Sequence, residues 1–214
     1  ASPDEPGLGG CVYFVVSTRP YGFHVDPATG RRFVNELGTR KEIADAILAV
    51  GHPCVHITDE YGFSKLPKAM LPTVRRGLEQ GAIRKFDSLE ELARYYGISL
   101  EGLKAELERY NSLVEKGVDE DFGKSIPKDA KPLKPPFYAC RLWPKVHHCM
   151  GGTQINTKAQ VIDKWGNVVP GLYAAGEATG GIHGACRLGS CATADCLIFG
   201  RIAGKNAAAE TPWE

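Results

Sequence analysis

Val146-His147-His148-Cys149-Met150-Gly151-Gly152 opens the last third of the chain. It is followed by Pro170-Gly171-Leu172-Tyr173-Ala174-Ala175-Gly176-Glu177-Ala178-Thr179-Gly180-Gly181 and by His183-Gly184-Ala185-Cys186-Arg187-Leu188-Gly189-Ser190. Ordered glycine loses more backbone entropy than any other residue, so glycines at this density need a cause. The usual cause is a backbone that approaches a ligand closely or turns tightly into a helix. Histidines, a glutamate and an arginine stand between these glycines, and the region therefore reads as a site. Within it, Leu172 to Ala175 reads as a short buried strand and Cys191 to Ala209 as a helix. Gly189-Ser190 feeds that helix, so its free N–H groups and positive dipole end point at whatever lies beyond.

These residues carry a resemblance. His-x-x-Met-Gly-Gly, Gly-Leu-Tyr-Ala-Ala-Gly-Glu and His-Gly-Ala-x-Arg-Leu-Gly, in this order and spacing, resemble the C-terminal part of the fumarate reductase and succinate dehydrogenase flavoproteins. The likeness is to the soluble flavocytochrome c branch that includes urocanate reductase. Thr29-Gly30-Arg31-Arg32-Phe33-Val34-Asn35-Glu36-Leu37-Gly38-Thr39-Arg40 resembles a segment of the mobile capping domain of that family. The resemblance covers residues 20 to 210. It implies an α+β capping domain over residues 1–141, followed by an incomplete α/β, Rossmann-like segment of the FAD-binding domain over residues 142–214.

The same resemblance implies roles. FAD would be met by the backbone of Ala192 and Thr193 at the helix start, by His148, by Gly176, and by Glu177 at the ribityl or ribose hydroxyls. His147 and Arg187 would grip a substrate carboxylate, for which the planar guanidinium fork is suited. Ser190 would lie at the substrate's edge. Arg40 falls at the catalytic acid and Arg19 at a second arginine that reloads it. The family's relay glutamate is not found: an ungapped count puts Val16 there and Val15 at a substrate-binding threonine, with Ser17 and Thr18 next to them. The reaction implied is reduction of the C=C bond of an α,β-unsaturated carboxylate, fed by an electron-donor domain or protein.

The alternative is a catalytically silent cap or docking module. The family's Gly-x-Gly-x-x-Gly cradle for the FAD pyrophosphate does not occur, and Gly7-Leu8-Gly9-Gly10 lacks its third glycine. That cradle would have to come in cis or in trans, and the 214 residues alone are expected to be inactive.

Composition bounds the rest. A net charge of +1 gives no reason to expect nucleic acid or an acidic membrane surface. No apolar run is long enough to cross a bilayer. Seven cysteines without zinc-site spacing read as free thiols. That implies no metal and favours a soluble protein in a reducing compartment such as the cytoplasm.

Outward from the site, Phe137 to Leu142 reads as a strand. Gln154–Ile155 and Gln160–Ile162 read as a hairpin around Asn156-Thr157-Lys158. Residues 117–136, polar and rich in proline, read as a linker or surface loop. Cys11 to Val16 and Pro53 to Thr58 read as strands. Tyr21 to Val25 and Arg32 to Val34 form a hairpin around Asp26-Pro27-Ala28-Thr29-Gly30. Lys41 to Val50 has helical spacing, and Leu66 to Gln80 is a helix that Pro72 breaks. Ser88-Leu89-Glu90-Glu91 is a capping box for a helix that Gly97 closes. A second helix runs from Ser99 to Lys116.

Overall fold

Cys54-Val55-His56-Ile57-Thr58-Asp59 is buried along its whole length, which a strand can be only if both faces of its sheet are covered. The computed structural model, which describes residues 1–5 and 9–211, shows how. This strand, β3 (Cys54–Asp59), is the centre of a 5-stranded antiparallel sheet. Its neighbours are β1 (Phe23–Asp26) and β5 (Phe137–Leu142); β2 (Arg31–Arg32) and β4 (Arg84–Phe86) form the edges. Val55, Ile57, Phe137 and Ala139 face one core, with Leu92 of α5 (Leu89–Tyr96) and Leu103 and Tyr110 of α6 (Leu100–Lys116). Cys54, Tyr138, Cys140 and Leu142 face the other. That core also holds Cys11 and Phe14 of α1 (Gly10–Thr18), Ile47 of α2 (Arg40–Val50) and Val74 of α4 (Leu71–Glu79). A short α3 (Glu60–Ser64) follows β3 directly, with Asp59 as its cap. All of this belongs to one compact unit, Ala1–Lys145; Val146–Glu214 form a second.

Several expectations need correction. Cys11–Val16 is not a strand but part of α1. The run is apolar on every side, and for such a run the period cannot separate strand from helix. What decides is tertiary: the Glu5 carboxylate accepts the N–H groups of Gly10 (2.6 Å) and Cys11 (2.9 Å), capping the helix from outside it. A Cβ on Gly10 would lie 2.5 Å from the Thr73 carbonyl, so only glycine lets α1 meet α4 at that point. Pro72 does not break a longer helix. It stands at the second position of α4, where its missing N–H costs nothing. The Ser88 box is half made: Ser88 Oγ accepts from the Glu91 N–H (3.2 Å), but the Glu91 carboxylate takes the Asp87 N–H. Thr39 and Glu42 make the full reciprocal box. Residues 117–136 are not a linker, because Asp119, Lys124 and Leu133 are buried in the unit. Gly7 and Leu8 of the Gly7-Leu8-Gly9-Gly10 run lie outside the described residues.

His24 and His56 face each other across β1 and β3, fully buried, with their Nδ1 atoms 3.1 Å apart. The tautomers follow from the neighbours. Thr18 Oγ donates to the Phe14 carbonyl (2.7 Å), so it must accept from His56 Nε2 (2.8 Å). His56 Nδ1 is therefore bare and accepts from His24 Nδ1–H. A proton on either ring would break this order. Burial, and then the Lys124 charge, hold the His24 value down from 6.5 to about 3. Between those values the unfolded chain binds a proton that the fold refuses, so stability is full above pH 6.5 and falls as pH drops. The slope is about 1.4 kcal/mol per pH unit for each such ring. Urea unfolding of the full-length protein at pH 7 and pH 5 should show this loss. Equal stability at both would mean that the pair accepts protons freely.

In the second unit, β6 (Gln160–Ile162) and β7 (Val168–Tyr173) form a hairpin. Asn156 N donates to the Gln160 carbonyl at 3.1 Å and starts the turn before it. The expected buried strand at Leu172–Ala175 is shifted to 168–173 and is exposed; Leu172 is 49% accessible. The helix α7 (Cys191–Ala208) has only Asp195 buried, while Leu197 and Ile198 are 69% and 56% accessible. Neither element is covered within its unit. No helix among the described residues is long and apolar enough to cross a membrane. All seven cysteines are free.

Candidate functional site

The segment before α2 is fixed by a buried ion cluster. Arg32 Nε and Nη2 donate to the two oxygens of Glu36, both at 2.9 Å, and its Nη1 and Nη2 donate to Asp119 at 3.3 and 2.7 Å. All of these side chains have zero exposure. The guanidinium is also packed over the rings of Tyr110 and Phe122. Lys124 Nζ lies 3.4 Å from Glu36 and donates to the Tyr110 hydroxyl (2.9 Å) and the Gly22 carbonyl. Burial brings the Lys124 value down to about 8. From this anchor the chain turns through Asn35, whose Oδ1 accepts from Leu37 N (2.8 Å), to the Thr39 box. Arg40 is the first residue of α2.

That placement is electrostatically odd. A cation at a helix N-terminus faces the positive end of the dipole. Arg19, which ends α1, is close enough for the Arg40 charge to depress its value, after the larger effect of burial. Two arginines thus share one neighbourhood, and one of them stands at the wrong end of a helix. Such an arrangement suits an anion. Val16, one turn before Arg19 on α1, is 53% accessible, and Val15 is half-buried.

The second unit holds the other predicted residues. The His148 side chain is 6% exposed and its Nδ1 lies 3.4 Å from Glu177 Oε2; Glu177 Oε1 accepts the Cys149 N–H at 2.9 Å. The Glu177 side chain is itself 52% exposed. The His183 ring lies 5.5 Å from that of His148, edge to face, and His183 Nε2 is 3.2 Å from Asp195 Oδ2. Arg187 is buried, with Nη1 donating to the Leu188 carbonyl. Gly151-Gly152 runs beside Ala178-Thr179, and a Cβ on Gly152 would lie 2.5 Å from the Ala178 carbonyl. His147 is exposed. Ser190 begins α7 with φ +68° and makes no side-chain cap. Of the first N–H groups, that of Thr193 reaches the Ser190 carbonyl at 3.1 Å.

Three buried side-chain atoms lack a hydrogen-bond partner among the described residues: His148 Nε2, Arg187 Nε and Asp195 Oδ1. Each such orphan costs about 1–3 kcal/mol. All three are in this unit, and together they offer a donor, an acceptor and a ring nitrogen that can be either. With an uncapped helix start, they fit the flavin end of a dinucleotide and an anion beside it. Sequence reasoning missed Asp195 and the Arg32–Glu36–Asp119–Lys124 cluster. Arg32 ends β2 and Glu36 lies in the turn that follows, so no helix or strand period links them. Nothing in the sequence pairs Asp195 with His183.

Comparison with known proteins shows the family. The FAD binding domain family matches residues 15–193. The acrylate reductase flavoprotein subunit of Shewanella woodyi is 41% identical over 96% of this chain and 41% of its own length. The fumarate reductase (cytochrome) of Shewanella frigidimarina is 41% identical over 84% of this chain and 30% of its own. The open conformation of a flavocytochrome c3 fumarate reductase superposes with a TM-score of 0.68 at 38% identity, covering 91% of this chain and 33% of that one. The chain thus spans well under half the length of these relatives. Its motifs, its fold and this match together make it a member of the FAD binding domain family of flavoprotein oxidoreductases.

Proposed function

We propose that this chain is the substrate-clamping and flavin-facing part of an FAD-dependent reductase acting on the C=C bond of an α,β-unsaturated carboxylate. FAD, when bound, would supply a hydride for the β-carbon. His147 and Arg187 hold the carboxylate, which draws charge out of the double bond. Arg40 Nη gives a proton to the α-carbon, and its charge offsets the negative charge that develops there. Arginine is a poor acid by its own affinity for protons, so Arg19 beside it returns the proton. Ser190 borders the substrate. His148, Gly176, Ala192 and Thr193 meet the flavin, and Glu177 meets the ribityl or ribose hydroxyls. The exposed apolar sides of α7 and β7 support a companion reading: the working protein includes a further stretch, in cis or in trans, that covers them and brings the pyrophosphate cradle. Electrons would come from a donor domain or protein.

The observation that carries this reading is Arg187: a buried guanidinium whose Nε donor has no acceptor in its own unit. In the complete protein, Arg187→Met and His147→Ala should each weaken a non-reactive dicarboxylate by about ten- to a hundredfold, the size of a charge-assisted hydrogen bond. Inhibition titrations measure it. Unchanged affinity in both variants would move the pocket elsewhere.

A further inference from the structure

The loop from Gly181 to Ser190 carries Arg187 yet has little of its own to hold it. Gly181, Gly184 and Ser190 take positive φ values of 89°, 61° and 68°, and most residues between them are exposed. Among the described residues, Arg187 bonds to the carbonyl of its neighbour Leu188 alone. Among the described residues, the side-chain tie from this loop to a regular element is His183 Nε2 to Asp195 Oδ2, 3.2 Å, with side chains 11% and 2% accessible. Asp195 is the one buried residue of α7. Its second oxygen is buried without a partner, and packing alone does not explain a carboxylate kept in that state.

We propose that Asp195 is a positioning residue: through His183 it fastens the Arg187 loop to α7 and sets the angle of His183 against His148. The carboxylate accepts from His183 Nε2–H, which leaves Nδ1 as the free ring nitrogen. The ring is then held edge-on to His148, whose own Nδ1 faces Glu177. Two histidine–carboxylate pairs stand side by side, and Arg187 follows four residues after His183. The inference rests on the reading of Arg187 as the carboxylate grip.

The test uses the complete flavoprotein with malonate as a non-reactive probe, bound malonate being read from the flavin absorbance. Asp195→Leu is close to isosteric and offers His183 no acceptor. Malonate affinity should fall about tenfold, and KM for an unsaturated carboxylate should rise equally with kcat little changed. Selective ¹⁵N-histidine spectra should lose the protonated Nε2 of His183. His183→Gln, which places an amide N–H near the lost Nε2, should keep most of the affinity, and His183→Ala should not. The His183 pair also decides the matter if Asp195→Leu does not fold. Full affinity in Asp195→Leu, or in His183→Ala, overturns the proposal. If Arg187→Met also leaves malonate binding unchanged, the fault lies in the reading of the grip.

Discussion

Replacing Arg40 by alanine in the complete protein should lower turnover of an unsaturated carboxylate by about 10²–10⁴-fold, the usual range for a lost general acid. Loss of its charge beside the reacting carbons adds to the effect. The fold should not suffer. Arg40 is exposed, and it places a cation at the N-terminus of α2, where its removal should stabilise the helix by about 0.3–1 kcal/mol. Lost turnover with an unchanged or higher melting temperature and a full complement of flavin therefore separates chemistry from structure. Arg40→Lys should recover little, because an ammonium lacks the fork. Near-normal turnover in the alanine variant would remove Arg40 from the mechanism.

Arg32→Met should cost about 3–5 kcal/mol, since it leaves Glu36 and Asp119 buried and unpaired. Lysine should not replace it: one ammonium cannot bond both oxygens of two carboxylates in the plane that the guanidinium supplies. Denaturant unfolding measures the loss. A change under about 1 kcal/mol would mean that water reaches the cluster in solution. Turnover should fall as well, because the Arg32–Glu36 pair fixes the turn from which Arg40 starts.

Much of this was legible in the chain. The helices α5 and α6 were readable because local signals agreed: a serine cap, an apolar face, and Gly97 or Gly117 in the left-handed region at the end. β3 and β5 were readable as short apolar runs between turn residues. α1 was not, because its conformation is set by Glu5 and by the close pass of the Thr73 carbonyl of α4, neither of which is part of its own pattern. Residues 117–136 misled for a related reason. Their charges look solvated in sequence, yet Asp119 and Lys124 are inward-facing counter-ions to residues some ninety positions earlier. At the site, the Gly-rich motifs named His148, Glu177 and Arg187. They could not show that Glu177 lies against His148 and the Cys149 N–H, or that Asp195 stands behind His183. Side-chain pairing across a loop has no sequence period.

The bare flank of α7 has a consequence for the life of the protein in a cell. Leu197 and Ile198 of α7, with Leu188 in the loop before it, are the kind of surface that chaperones and proteases bind. Until something covers them, the second unit should be triaged rather than stored. Its lifetime should then follow the concentration of its cover by mass action, so that FAD supply and assembly set how much of the protein survives, apart from how fast it is made.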